Sequence, residues 1–252
     1  KQVKYKMTQF SINVNKFALL RNSRGTDQPN LIEICKKCIQ FGAQGITVHP
    51  RPDERHAKFA DLQDIKNLVS KSNNIEFNIE GYPSEFFLKK IIEVNPDQVT
   101  LVPDPPDAIT SSFGWNCKEH ENFLKKTVNE FKKNNIRVSL FISPSKYTLE
   151  NLDSINPDRV ELYTFDYAHN FNLDKTKAIK PYKEVYEFVK KISPNIEFNA
   201  GHDLNLDNLD FLLKTIPDIK EVSIGHALVL DALDYGLERT INEYVKITQS
   251  NK

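Results

Sequence analysis

Short apolar runs alternate along this chain with longer segments, and the two kinds of segment have different periods. The short runs are Phe10–Val14, Gly45–Val48, Glu76–Ile79, Gln98–Val102, Arg137–Phe141, Arg159–Leu162, Glu197–Ala200 and Glu221–Ile224, and they read as strands. Between them lie segments with the helical period: Asn30–Phe41, Asp61–Ser70, Ser84–Val94, Glu119–Asn134, Lys146–Ser154, Pro181–Ile192, Leu206–Thr215 and Ala227–Ile247. Strand and helix thus alternate at a repeat of about 30 residues, the size of a βαβ unit. Ahead of three strands stand NPDQV, NPDRV and SPNIE, turns that stop a helix sharply on the face opposite the strand ends.

Eight such units without G-x-G-x-x-G or a P-loop favour the α/β class and a single closed (β/α)8 TIM barrel, with extra short helices in the top-face loops. The segment Pro103–Lys118 is the longest loop and is expected to cover substrate after the fourth strand. Phe165–Lys180 is expected to add a helical turn or an interface. One domain is expected over residues 1–252. Residues 1–7, which end at the only methionine, are expected to form a tail outside the barrel.

Composition narrows the partners. Lys plus Arg and Asp plus Glu are 34 each, so a neutral chain without a basic block argues against nucleic acid or an anionic membrane. No apolar run approaches the ~20 residues of a membrane span. Three cysteines cannot all pair, and Cys35 and Cys38 fit an amphipathic helix as small buried side chains. A reduced, cytoplasmic setting is expected.

The strand ends carry the chemistry. The first strand and its loop place Asn13, Asn15 and Arg24; the second ends in His49, followed by Arg51 and His56. The third ends in Glu80, the sixth carries Glu161, the seventh ends in Gly201-His202 and the eighth in Gly225-His226. Of six histidines, three fall at C-terminal strand ends and a fourth in the loop after one. Imidazoles and buried carboxylates together form an acid–base set that titrates near neutrality. The same groups could hold a metal, but no H-x-H or H-E-x-x-H spacing is present and nearby arginines would repel a cation, so no metal is expected. Arg24 and Arg51 suit a doubly anionic ligand. The Gly225-His226 step opens the last helix, where free N–H groups bind phosphate. Two anion sites suggest two phosphorylated substrates or one bisphosphate.

In SINVNKFALLRNSRGT, GAQGITVHPRPDERH, EFNIEGYPSE, DQVTLVPD, RVSLFI, DRVELYT, NAGHDLN and EVSIGHAL, in order from Ser11 to the last helix, the chain resembles the pyridoxine 5'-phosphate synthase family of vitamin B6 biosynthesis. The resemblance implies a cofactor-independent transferase. It would condense 3-amino-2-oxopropyl phosphate with 1-deoxy-D-xylulose 5-phosphate to pyridoxine 5'-phosphate, phosphate and water. It implies that His49 and Glu80 accept protons, His202 donates one and Glu161 stabilises a transition state. Asn13, Arg24, Gly225 and His226 would bind the aminoketone phosphate; Arg51, His56 and Thr110 would bind the deoxyxylulose phosphate; Asp203 would contact substrate through its backbone. It also implies a homo-oligomer, an octamer of barrels, with Arg24 serving a neighbouring site.

Three positions depart from the family pattern. A well-known branch has Asp-His where this chain has Asn15-Lys16, and Asp203 stands where Gly is frequent. Two other readings stay open: another sugar-phosphate barrel enzyme, such as an isomerase or aldolase, and a non-catalytic phosphate-binding barrel. A Schiff-base aldolase needs a strand-end lysine, and strands two to eight end in none.

Overall fold

The strands are β1 (Gln9–Asn13), β2 (Gly45–Val48), β3 (Glu76–Gly81), β4 (Gln98–Leu101), β5 (Arg137–Ile142), β6 (Arg159–Tyr163), β7 (Glu197–Gly201) and β8 (Ile219–Ile224). All pair in parallel in chain order, and β8 pairs with β1 to close a barrel. A computed structural model describes residues 7–104 and 111–250 of the chain. Around the barrel lie α1 (Asn15–Arg24), α2 (Leu31–Gln40), α3 (Asp61–Ser70), α4 (Glu85–Val94), α5 (Glu121–Lys133), α6 (Leu152–Ile155), α7 (Phe165–Ile192), α8 (Leu209–Thr215), α9 (His226–Tyr235) and α10 (Leu237–Ser250). No helix among the described residues is long and apolar enough to cross a membrane.

Alternation along each strand sorts the side chains. Phe10, Ile12, Ile46, Val48, Phe77, Ile79, Val99 and Leu101 are fully buried in the main apolar cluster, which packs between sheet and helices. The intervening positions are polar, and their hydrogen bonds span strands that are not neighbours. Gln98 on β4 donates to Glu221 on β8 at 3.2 Å, and Thr100 on β4 donates to Glu161 on β6 at 3.4 Å. Such bonds cross the barrel interior, so this barrel is filled by polar groups rather than by branched aliphatics alone. Arg159 closes the lower layer, donating to Glu221, Asn199, Gln98 and Glu197.

The NPD turns work as expected and add a bond. Asn95 and Asn156 take left-handed backbone (φ 51° and 53°) and cap α4 and α6, and the following proline prevents continuation. The aspartate after each proline then accepts a strand N–H: Asp97 from Phe77 at 2.9 Å, Asp158 from Val138 at 2.8 Å. Ser193 in SPNIE has extended backbone (φ −145°) and no such cap.

Four helices depart from the pattern, and the expected helix Lys146–Ser154 is only a 3-10 turn over Lys146–Thr148 followed by the four-residue α6. Helix α1 covers residues expected to be loop; it buries only Asn15, Ala18 and Arg21, too little apolar surface to show a period. Its signal was at its end, where Gly25 takes φ 69° after a basic last turn. Helix α7 begins at Phe165 rather than near Pro181, and kinks at Asp174, whose carboxylate caps the second limb by accepting from Thr176 and Lys177. The long final helix is broken at Gly236. Cys35 and Cys38 are free and buried, as expected, and Cys117 is free and buried too.

Candidate active site

The C-terminal strand ends open onto a cavity of about 370 Å³. Glu80, on β3, points into it and is 7% exposed. Its Oε2 accepts from Asn13 Nδ2 at 3.4 Å and lies 3.6 Å from His49 Nδ1. Two asparagines set this geometry. Asn13 Oδ1 accepts the Asn15 N–H at 3.1 Å, and Asn15 Oδ1 accepts the His49 N–H at 2.9 Å. Asn15, a departure from the family pattern, thus fixes the backbone that carries His49.

Burial decides the charges here. Loss of water pushes the Glu80 carboxyl up to about 7, against the opposing pull of His202 and Arg51. Burial, then Arg51, holds the His49 imidazole far below its ordinary value. Both effects disfavour charge, so near neutral pH Glu80 is divided between carboxyl and carboxylate beside an unprotonated ring. Glu161 is pushed well above its ordinary value by burial, then by Glu80 and Glu221, which favours its protonated form. His202 is lowered by burial, with Glu80 opposing. Its ring packs against Tyr163 at 4.9 Å and Phe141 at 5.0 Å.

The β7 end is strained and held. His202 and Asp203 both have positive φ, 81° and 55°. Thr164 Oγ1 donates to the carbonyls of Gly201 and His202 at 2.6 Å each, and Asn208 donates to that of Asp203 at 3.2 Å. The Asp203 side chain is exposed. Gly225 precedes the first turn of α9 and lines the cavity with His226.

Helix α1 is the platform for the loop after β2. Asn22 Nδ2 lies within 3.0 Å of three consecutive carbonyls, those of Glu54, Arg55 and His56. Arg21 makes a bidentate pair with Asp61 at 2.8 and 2.9 Å. His56 reaches the cavity with its imidazole lowered to about 4 by burial and then by His49, Arg55, Arg51 and Lys16. Arg51 is not the free cation its position implies: its Nη2 pairs with Asp104 Oδ2 at 2.7 Å, and both side chains are under 5% exposed.

Of the expected site residues, Asn13, His49, Arg51, His56, Glu80, Glu161, His202, Asp203, Gly225 and His226 converge on one cavity. Arg24 does not line it and is exposed in the last turn of α1. Thr110 lies outside the described residues, as do Lys1–Lys6 of the expected tail. The second half of the loop after β4 packs down: Trp115 is buried and donates to the Leu101 carbonyl at 2.9 Å. Lys16, one of the departures from the family pattern, lines the cavity, as do Ser111, Tyr163 and Ser223, which were not singled out for it. Ser223 Oγ is buried there with no hydrogen-bond partner among the described residues.

The profile of the family described as "Pyridoxal phosphate biosynthesis protein PdxJ" matches residues 10–250. The pyridoxine 5'-phosphate synthase of Christiangramia forsetii is 47% identical over 241 residues, covering 96% of this chain and 99% of that protein. That of Cytophaga hutchinsonii is 49% identical over 240 residues, 95% and 98% of the two chains. Among solved structures, tryptophan synthase from M. tuberculosis superposes with a TM-score of 0.64 at 13% identity, covering 97% of this chain and 94% of that one. A phosphoribosyl anthranilate isomerase gives 0.59 at 13%, covering 97% and 100%. At such identities the likeness is one of barrel architecture alone.

Proposed function

Because this chain belongs to the pyridoxal phosphate biosynthesis family PdxJ, a family of pyridoxine 5'-phosphate-forming enzymes, we propose that its cavity condenses 3-amino-2-oxopropyl phosphate with 1-deoxy-D-xylulose 5-phosphate. The products are pyridoxine 5'-phosphate, inorganic phosphate and water. The chemistry needs an amine to add to a ketone with loss of water, then carbon–carbon bond formation after a proton is removed beside a carbonyl. Each stage moves protons between carbon, nitrogen and oxygen, which is work for several weak acids and bases of closely matched strength.

The observation that carries the reading is the buried Glu80 held near neutrality beside His49, with His202 facing it. Glu80 and His49 take protons from substrate. His202 returns one to a leaving oxygen after taking the proton that Glu80 has accepted, a transfer favoured by a bound phosphate dianion, whose field raises a nearby imidazole's pKa. Neutral Glu161 donates a hydrogen bond to developing negative charge, as a carboxyl kept protonated by burial can. Asn13, Gly225 and His226, with the first turn of α9, bind the aminoketone phosphate. Asp203 contributes backbone there, and Arg24 acts from a neighbouring subunit. Arg51, His56 and Thr110 bind the deoxyxylulose phosphate. The reaction as read needs neither cofactor nor metal.

One catalytic domain in the cytoplasm, assembled as a homo-oligomer, completes the reading. The oligomer is supported by an apolar face on α1 and α9, where Leu20 is 60% exposed and Leu233 79%. Incubating the purified chain with both phosphates is the test. Pyridoxine 5'-phosphate by mass, with phosphate released in step, is expected; no product under saturating substrates overturns the reading.

A further inference from the structure

The carboxylate of Asp104 ties the loop after β2 to both ends of the loop after β4 at one oxygen. Its Oδ2 accepts from Arg51 Nη2 at 2.7 Å and from Ser111 Oγ at 2.6 Å. The Ser111 carbonyl in turn accepts from Tyr163 OH at 3.1 Å, and the Tyr163 ring lies edge-on to His202. Asp104 is 3% exposed, so this is a buried junction of the loops after β2 and β4 with the end of β6. The Arg51 Nε is also buried and has no hydrogen-bond partner among the described residues, an unspent donor next to the cavity.

On the far side of the pair lies a second recess of about 490 Å³, lined by Phe59, Tyr82 and Phe86 besides His49, Arg51 and Asp104. Arg51 therefore lines both chambers, and its pair with Asp104 is the contact that holds it between them. Glu80 is faced by His49 and Arg51 from the segment after β2, Asp104 from the loop after β4, Glu161 from β6 and His202 just past β7. In that ring, Arg51 favours the ionised form of Glu80 and Asp104 opposes it.

We propose that Asp104 is a positioning residue of the site: it pins Arg51 in the wall between the two chambers, with Nε left for an incoming sugar phosphate, and its charge offsets that of Arg51 beside Glu80. This rests on the reading of the cavity as the synthase site. Two consequences separate it from a mere loop tie. Asp104→Ala frees Arg51 and weakens only the ligand that Arg51 holds. Asp104→Asn keeps an oxygen for Arg51 or Ser111 but removes the charge, so Glu80 ionises at lower pH.

The experiment compares wild type with the Ala, Asn and Glu variants. It measures KM for each substrate, the pH profile of kcat/KM from about pH 5.5 to 9, thermal melting, and calorimetric titration with 1-deoxy-D-xylulose 5-phosphate alone. For Asp104→Ala, KM for the deoxyxylulose phosphate is expected to rise about tenfold with less than about a twofold change for the aminoketone phosphate. For Asp104→Asn, the acid limb is expected to move down by about half a pH unit, and Asp104→Glu to return it. An unmoved limb together with equal rises in both KM values overturns the inference. If Asp104→Ala does not fold, the Asn and Glu variants decide. If wild type gives no pyridoxine 5'-phosphate, the reaction fails and calorimetry judges Asp104: weaker binding in Asp104→Ala supports it, equal or absent wild-type binding overturns it.

Discussion

Gly201 stands so close to Glu161 that a Cβ on it would lie 2.6 Å from the carboxyl Oε1. The obstacle is the tip of a side chain rather than backbone, so the fold can yield while the carboxyl cannot stay. Gly201→Ala is expected to lower kcat about tenfold or more while reducing the melting temperature by only about 2–4 °C. Kinetics beside a thermal melt check this; a large loss of stability at full kcat would contradict it.

Glu80 ties catalysis to pH. As a base it acts when ionised, so kcat/KM should fall below its apparent value of about 7, and Glu80→Gln should cost about 100-fold or more on the plateau above it and less at acid pH. Stability responds in the opposite sense. Between the ordinary 4.5 and about 7 the folded chain holds a proton that the unfolded chain has lost, so this group's contribution falls as pH rises through that window. Glu80→Gln is therefore expected to gain melting temperature relative to wild type at about pH 8 and to lose the gain near pH 5.

His56 has the reverse sign. Its folded value, about 4, lies below the ordinary 6.5, so the unfolded chain binds more protons in between and stability is lost as pH falls through that window. His56→Gln is expected to flatten this acid loss in melts taken from about pH 7 to 4, while weakening binding of the deoxyxylulose phosphate. An unchanged acid slope would mean the ring is not desolvated in solution.

The Arg51–Asp104 pair is buried on both sides, so removing one member strands the other. Arg51→Met alone is expected to destabilise by about 3 kcal/mol, and the double change Arg51→Met/Asp104→Leu to recover most of it. Neither variant should regain activity. Denaturant titration of both single variants and the double variant completes the cycle.

The barrel was legible because strand and helix periods alternate cleanly, and every strand runs within two residues of its expected bounds. Helix α1 was not, because polar anchors hold it instead of an apolar stripe: Arg21 to Asp61 and Asn22 to the loop after β2. The imidazoles and carboxylates were legible as strand-end residues, since the barrel delivers every strand end to one mouth. Asp104 was not, because its meaning depends on Arg51, 53 positions away, and adjacency across that distance leaves no periodic trace. The same distance hid the neutralisation of Arg51, which looks from its sequence neighbours like an uncompensated cation.

The paired NPD turns lie at the end of the barrel opposite the cavity, where Asp97 and Asp158 each latch a neighbouring strand. These bottom-face positions therefore offer a handle on thermal robustness that leaves the proton-transfer groups untouched. A library confined to Asn95–Asp97, Asn156–Asp158 and the facing helix ends could retune the working temperature of the barrel. The proton-transfer groups at the other end would keep their spacing throughout.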